Sequence, residues 1–239
     1  MLEVEALLIQ ADLDIDDIEF SGKRGKQQQS PPPSPSSQDH LSAANTQQQE
    51  REKRDAFRKS SSHVESPAIS ARPSSDVFRQ KGIGVIHDKT LCDYPKYNSS
   101  YVKSLEVIEN NLLKYPNIEF VFDIHRDAIA SQDGTPTKLV CTVNGKSTAQ
   151  AMIVCGTDAM GLENPNWQEN LILALKIQKN LEAVCPGLMR PINLRKERFN
   201  MHKTKGSLLF EVGTHGNTLE EALNGAKLLA EGIAETIAK

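Results

Sequence analysis

The sequence predicts an α/β fold in which a largely parallel sheet is flanked by helices, and two observations lead to that prediction. Apolar runs of strand length recur along the second part of the chain, for example at residues 82–86, 118–124 and 207–213. Segments with helical spacing of apolar residues separate these runs. Strands that alternate with long helices are typical of layered folds with a parallel sheet.

Three segments have the pattern of helices. Residues 99–115 repeat apolar side chains at Val102, Leu105, Ile108 and Leu112, and Pro116 follows. Residues 167–184 form a second such segment, which Pro-Gly at 186–187 closes. A third is expected over residues 218–237, because Thr218 and Glu221 have the spacing of a capping box.

The strands are indicated by short apolar runs that end in polar residues. Residues 118–124 form the clearest strand and lead directly into His125. Residues 138–143 and 150–155 predict two further strands, with Asn-Gly at 144–145 as the hairpin turn between them. The run at residues 207–213 contains Glu211 near its end.

The first part of the chain has a different composition. Residues 21–73 are rich in Gln, Ser, Pro and charge, and such a segment buries too little apolar surface to offset its ordering entropy. Residues 1–20 contain a short acidic amphipathic stretch without chemically specific residues. We therefore predict a disordered N-terminal region at 1–75 and an α/β domain at 76–239.

Charge and hydropathy narrow the classes of function. The formal net charge is −3 and the sequence pI is about 6.1, so the chain does not have the overall positive charge that is typical of nucleic-acid-binding proteins. No apolar stretch approaches the roughly 20 residues of a membrane span. The start of the chain lacks the basic residues of a secretory signal, so neither a membrane segment nor an export signal is predicted.

The candidate chemical residues are His125 and Glu211, because functional groups collect beyond the carboxyl ends of strands in open parallel sheets. A carboxylate inside an apolar run is costly to bury unless it is paired, metal-bound or catalytic. Two structural alternatives stay open. His125 can bond a neighbouring carbonyl, and Glu211 can pair with one of three nearby arginines, Arg126, Arg195 or Arg198.

A histidine and a glutamate at two strand ends suit a hydrolytic zinc site. Histidine offers a neutral nitrogen ligand, and a carboxylate can take a proton from the attacking water. His87 and His202 are further histidines in this region, and the pattern indicates ordinary loop or strand-end positions for them. The four cysteines are too widely spaced to indicate a metal finger or a disulfide framework.

Eight collinear blocks extend across most of the predicted domain and resemble the stage II sporulation protein P family. They are KGIGVIHDKT (81–90), DYPKYNSSY (93–101), DIHRDA (123–128), VCGTDA (154–159), NPNWQEN (164–170), PGLMRPIN (186–193), GSLLFEVG (206–213) and NTLEEA (217–222). As a collinear set these blocks are specific.

The resemblance implies a zinc amidase-like fold and an N-acetylmuramoyl-L-alanine amidase with Zn²⁺ as cofactor and peptidoglycan as substrate. An additional endopeptidase activity is also implied. Such proteins act outside the membrane, at the septum between mother cell and forespore, alongside the sporulation D and M proteins. The resemblance makes His125 a zinc ligand and Glu211 the catalytic glutamate, which would deprotonate water and protonate the leaving amine.

One expected motif of the family is missing from its usual place. A strand ending in a His-Thr-His-x-x-Glu-Ser type motif should precede the strand at 82–86, and no apolar strand is found in the tens of residues before it. The nearest fragment offers His63 and Glu65 as candidate ligands. The domain is therefore predicted to lack its first strand, and a non-catalytic relative that binds peptidoglycan or partner proteins is the alternative hypothesis.

Overall fold

A computed structural model describes residues 5–10, 68–92 and 100–238. Eight strands and four long helices are found in these residues. The strands are β1 (Glu5–Gln10), β2 (Gly84–His87), β3 (Ile118–Asp127), β4 (Val140–Val143), β5 (Lys146–Ala149), β6 (Ala151–Gly156), β7 (Asn193–Arg195) and β8 (Gly206–Thr214). The helices are α1 (Ala68–Gln80), α2 (Ser100–Lys114), α3 (Trp167–Val184) and α4 (Leu219–Ile237).

The main sheet has six strands in the order β2-β1-β3-β8-β6-β7. The four strands β2, β1, β3 and β8 are parallel to one another, and β6 joins them antiparallel to β8. Helices pack on this sheet through two sets of apolar residues. The predicted α/β class, with a largely parallel sheet and flanking helices, is confirmed.

The structure differs from the predicted organisation at the N-terminal side. Strand β1 lies between β2 and β3 in the sheet, with Leu7 paired with Ile86 on one side and Val121 on the other. Its residues Ala6, Leu7 and Leu8 are fully buried. Helix α1 also begins before residue 76. Strand β1 therefore joins the main sheet from within residues 1–75, the region that the sequence assigned to a disordered N-terminus.

The hairpin also differs from its prediction. Asn144 and Gly145 form the turn, both with positive φ, as a tight hairpin requires. The partner of β4 is β5, with Val140 opposite Ala149, and not the run at residues 150–155. That run is β6, which joins the main sheet because its six residues are all buried and need apolar cover on both faces.

The two faces of the sheet are covered differently. On one face, Phe122 and Phe210 pack edge to face, with ring centroids 5.4 Å apart, in the core beneath α1, α3 and α4. On the other face, Val121 packs with Ile108 of α2. No helix in the described part of the chain is both long and apolar enough to cross a bilayer.

Helix α4 begins with the capping box that the sequence predicts. The Thr218 side chain accepts a hydrogen bond from the Glu221 backbone N–H, and the Glu221 carboxylate accepts one from the Thr218 backbone N–H. We expect Thr218→Ala to lower the free energy of unfolding by about 1 kcal/mol, because one N-terminal amide loses its acceptor. Urea denaturation measures this change.

Thr142, exposed on β4, provides the matched control for that substitution. Thr142→Ala should change the free energy of unfolding by less than about 0.5 kcal/mol. Equal effects of the two substitutions would contradict the capping role of Thr218.

Candidate active site

His125 and Glu211, the two residues singled out from the sequence, lie side by side on neighbouring parallel strands. Strand β3 pairs with β8, and the register sets His125 opposite Glu211. Both residues are fully buried. They are far apart in the chain, so the strand order is what brings them together.

Alternation along the strands sets the face on which these side chains lie. Phe122 and Ile124 of β3 belong to the main core, so Asp123 and His125 lie on the opposite face. On β8 the same alternation separates Glu211 from Phe210 and Val212. The polar residues therefore occupy the face that α2 covers, close to the carboxyl ends of the strands.

The Glu211 carboxylate is buried without a hydrogen-bond partner among the described residues. Its pKa is raised from 4.5 to about 8, chiefly by burial; His125 and Arg190 oppose this increase, and the negative charges of Asp127 and Asp123 add to it. Such a carboxyl group can bind and release a proton near neutral pH. This is the behaviour expected of a general acid and base rather than of a structural ion pair.

None of the three arginines that the sequence offered as partners has a hydrogen bond to Glu211. Arg126 donates to the backbone carbonyls of Thr214 and Asn217, at 2.7 and 2.6 Å. Arg195 pairs with Glu197, and Arg198 donates to the Glu163 carbonyl. The buried arginine pair, which was the structural alternative for Glu211, is therefore not observed.

Asp123 is a site residue that the sequence analysis did not single out. Its Oδ1 lies 2.8 Å from Nε2 of His125, and its side chain is 12% exposed. A small cavity of about 10 Å³ adjoins it, lined also by Phe199 and Met201. The signal was available, since Asp123 precedes His125 by two residues and must share its face of a strand.

An ion pair stands at the rim of the site. Arg190 Nη1 lies 2.8 Å from Asp127 Oδ2, and both side chains are largely buried. Met189 forms an isolated bridge with Ala151, the first residue of β6. Arg190 follows Met189, and its side chain passes the end of β8 to reach β3. No sequence pattern pointed to Arg190, because only this chain crossing places it near Glu211.

The turn after β8 is held rigidly against the rest of the site. Asn217 Oδ1 accepts a hydrogen bond from the Thr214 N–H, and its Nδ2 donates to the Leu139 carbonyl. Gly213 has a φ of +65°, and a Cβ there would lie 2.8 Å from Asn217 Oδ1. Glycine is required at this position, and the turn fixes the end of the strand that carries Glu211.

The donor set fits part of a zinc site. The Glu211 carboxylate, buried without a hydrogen-bond partner among the described residues, is a group that a divalent cation would satisfy, and the buried His125 beside it offers a ring nitrogen as ligand. Within the described residues, no group of three or more His, Cys, Asp or Glu side chains is close enough to hold a metal ion. His63 and Glu65, the predicted further ligands, lie outside the described residues.

The other two histidines do not join this group. His87 ends β2, at the opposite side of β1 from β3. His202 is part of a short 3₁₀ helix, where burial and the nearby positive charges of Arg198 and Lys203 lower its pKa to about 4. These locations agree with the loop and strand-end positions that the sequence indicated.

Comparisons with known proteins now give the family. The family model "Stage II sporulation protein P" matches residues 68–234. Stage II sporulation protein P of Bacillus subtilis (strain 168) is 30% identical over 175 residues, which are 67% of this chain and 41% of that protein. The chain thus spans less than half the length of this relative.

Two solved structures are also similar. The CwlD amidase from Clostridioides difficile, in complex with the GerS lipoprotein, is 15% identical with a TM-score of 0.49 and covers 72% of this chain and 84% of its own. The catalytic domain of the amidase CwlV from Bacillus (Paenibacillus) polymyxa is 16% identical with a TM-score of 0.45 and covers 72% and 82%. Because the family model matches most of the chain, including the strands of His125 and Glu211, the protein belongs to the stage II sporulation protein P family.

Proposed function

We propose that this chain is a zinc-dependent peptidoglycan hydrolase that cleaves the amide between the muramyl lactyl group and the first L-alanine of the stem peptide. The observation that carries the proposal is the buried Glu211 carboxylate, which has no hydrogen-bond partner among the described residues and lies opposite His125 on the next strand. Membership of a sporulation family supports peptidoglycan as the substrate.

Glu211 has the central chemical role in this proposal. It removes a proton from the attacking water and returns one to the leaving amine, which requires a group that changes protonation near the working pH. Its pKa of about 8 in the metal-free protein meets that requirement, and a bound cation would favour the ionised form. His125 would hold the zinc ion, with His63 and Glu65 as further candidate ligands. A zinc ion held there would supply Lewis acidity toward the scissile carbonyl.

The biological setting of the proposal follows from the family. We infer a role outside the membrane in thinning septal peptidoglycan during forespore engulfment, with the sporulation D and M proteins as partners. We also propose an endopeptidase activity of the same site, which would cleave the stem peptide cross-link. Both would use the same His125 and Glu211 pair.

The test is digestion of purified peptidoglycan by the full chain, with mass spectrometry of the products. We expect fragments with a new free amine on L-alanine, loss of this product after treatment with a zinc chelator, and recovery when Zn²⁺ is added back. An unchanged cleavage rate in the chelator-treated protein would overturn the zinc dependence. Products cut only inside the stem peptide would replace amidase with endopeptidase activity.

A non-catalytic binding role is the second candidate, and one observation favours it. Strand β1, which neighbours β3, ends at Gln10 without a histidine, and the described residues contain no complete ligand set. This candidate predicts co-sedimentation with peptidoglycan, no new amine, and no effect of Zn²⁺. The digestion experiment separates it from the hydrolase.

A further inference from the structure

Arg190, at the rim of the site, leaves most of its hydrogen-bonding capacity unused. Its Nη1 donates to Asp127 Oδ2 at 2.8 Å, and within the described residues this is the one hydrogen bond that the guanidinium makes. A guanidinium carries several N–H donors in a planar fork, so most of them are left for another acceptor. The Arg190 side chain is 18% exposed, and an acceptor that arrives from solution can therefore reach it.

The backbone that carries Arg190 is fixed to the sheet. The Arg190 N–H donates to the Ala151 carbonyl at 2.7 Å, and the Ala151 N–H donates to the Leu188 carbonyl at 2.9 Å. Leu188 is fully buried, and Ala151 begins β6, which pairs with β8. This base and the bond to Asp127 hold the guanidinium at the end of the sheet. A recognition residue needs such support, because ordering a long side chain during binding costs affinity.

The charges at this end of the sheet show what Arg190 can contribute. Burial raises the pKa of Glu211, the acidic side chains of Asp127 and Asp123 add to this rise, and Arg190 is near enough to oppose it. Arg126, another arginine in this region, donates to backbone carbonyls of the turn after β8. The stem peptides of peptidoglycan carry free carboxylates, which an acidic site repels. Arg190 has N–H donors available to offset that repulsion.

We propose that Arg190 binds the free carboxylate of the second residue of the stem peptide, and that Asp127 positions the guanidinium for this contact. The inference rests on the proposed function, because it names the part of the peptidoglycan substrate that the same site selects. Arg190 is a specificity-determining residue in this role, and Asp127 is a positioning residue.

The chemistry of the substrate fits this contact. The second stem residue is a glutamate that continues the peptide through its side chain, so its α-carboxylate stays free. It follows the L-alanine of the scissile amide, and binding it beside Glu211 holds that amide close to the catalytic carboxylate. A guanidinium fork can donate two parallel hydrogen bonds to a carboxylate. An amide in the same place has one oxygen and no charge, so it binds more weakly.

The experiment measures hydrolysis by the full chain of two soluble, uncross-linked peptidoglycan chains, whose second stem residue is either glutamate or its α-amide, isoglutamine. We expect the wild type to cleave the carboxylate form with the higher kcat/KM. Arg190→Gln should lower kcat/KM for the carboxylate form by roughly 10–100-fold, the usual loss for a hydrogen bond to a charged group. For the amide form it should change kcat/KM by no more than a few-fold. Mass spectrometry of the released L-alanine amines gives the rates.

Two further variants separate recognition from stability. Arg79→Gln is the matched control, because Arg79 also pairs with an aspartate, Asp76, but lies exposed on α1. It should retain the wild-type rates on both substrates within a few-fold. Arg190→Lys should recover only part of the preference for the carboxylate form, since an ammonium group keeps the charge and lacks the planar fork.

The outcomes distinguish this inference from the proposed function. Equal losses on both substrates for Arg190→Gln would overturn the inference and leave the pair with Asp127 as a structural tie between β6 and β3. A wild type without preference for the carboxylate form would contradict it as well. If Arg190→Gln fails to fold, which circular dichroism shows, Arg190→Lys decides: a reduced preference supports the inference, and an unchanged one contradicts it.

A wild type that cleaves neither substrate would overturn the proposed function instead. Calorimetric titration of the full chain with the same two substrates then tests the inference by itself. Tighter binding of the carboxylate form, removed by Arg190→Gln, supports recognition by Arg190. Equal binding of the two forms by the wild type contradicts it.

Discussion

Replacing Glu211 with glutamine is expected to slow the hydrolysis of peptidoglycan by roughly 10²–10⁴-fold, the usual contribution of a positioned general acid and base. Glutamine has nearly the same volume, so it should fit the space between β3 and β6 without creating a cavity. It cannot accept the proton of water or return one to the leaving amine. The rate of appearance of free L-alanine amines measures the effect.

Glu197→Gln provides the matched control for this substitution. Glu197 is also a buried glutamate, but its carboxylate pairs with Arg195, away from His125, at 3.1 Å. The control should retain the wild-type rate within a few-fold. Glu211→Gln activity equal to that of the control would remove Glu211 from the chemistry, whatever the metal content of the protein.

The same substitution is expected to alter how the stability of the metal-free protein depends on pH. The folded-state pKa of Glu211 is raised from 4.5 to about 8, so the folded protein holds this proton more tightly than the unfolded chain does. The resulting stability is fully present below pH 4.5 and is lost as pH rises toward 8. At roughly 1.4 kcal/mol per pKa unit, several kcal/mol is the upper bound of the effect.

Urea denaturation in the presence of a chelator, at several values between pH 5 and pH 8.5, tests this expectation. Glu211→Gln should be more stable than wild type at pH 8.5, and the difference should shrink toward pH 5. His202 contributes an opposite slope, because its lowered pKa stabilises the folded state above pH 6.5 and this stability is lost as pH falls toward 4. Both proteins contain His202, so the difference between them isolates Glu211. A constant difference across this range would contradict the raised pKa.

These two results together would link stability and function at one residue. A buried carboxylate without a hydrogen-bond partner lowers the stability of the folded protein at neutral pH, and chains keep such groups where chemistry or a ligand requires them. Enhanced stability and lost hydrolysis in one variant is the combination expected of an active-site group. Glu221 is a structural carboxylate that caps a helix and binds Lys138, so replacing it with glutamine should lower the stability of the protein.

The sequence predicted the local elements of this protein because their causes are local. The apolar run before His125 formed β3, the helical spacing from Val102 to Leu112 formed α2, and the Thr218 capping box began α4. His125 and Glu211 were also predicted as site residues, because functional groups collect at the carboxyl ends of parallel strands. A polar residue in or directly after an apolar run can be recognised from the sequence without knowing its neighbours in space. The predicted ligands His63 and Glu65 stay predictions, because they lie outside the described residues.

Only the tertiary structure decided which of these elements meet. Strand β1 is a run of six residues separated by a long polar segment from the rest of the sheet, and nothing local gives its place between β2 and β3. The pairing of β3 with β8 set His125 opposite Glu211, and the chain crossing after Met189 brought Arg190 to Asp127. Apolar periodicity specifies which face of a strand is buried, whereas strand order depends on how all faces pack together. For that reason the sequence alone could identify His125 and Glu211, and its strand alternation offered Asp123 as well, but it could not identify Arg190 as a neighbour of this site.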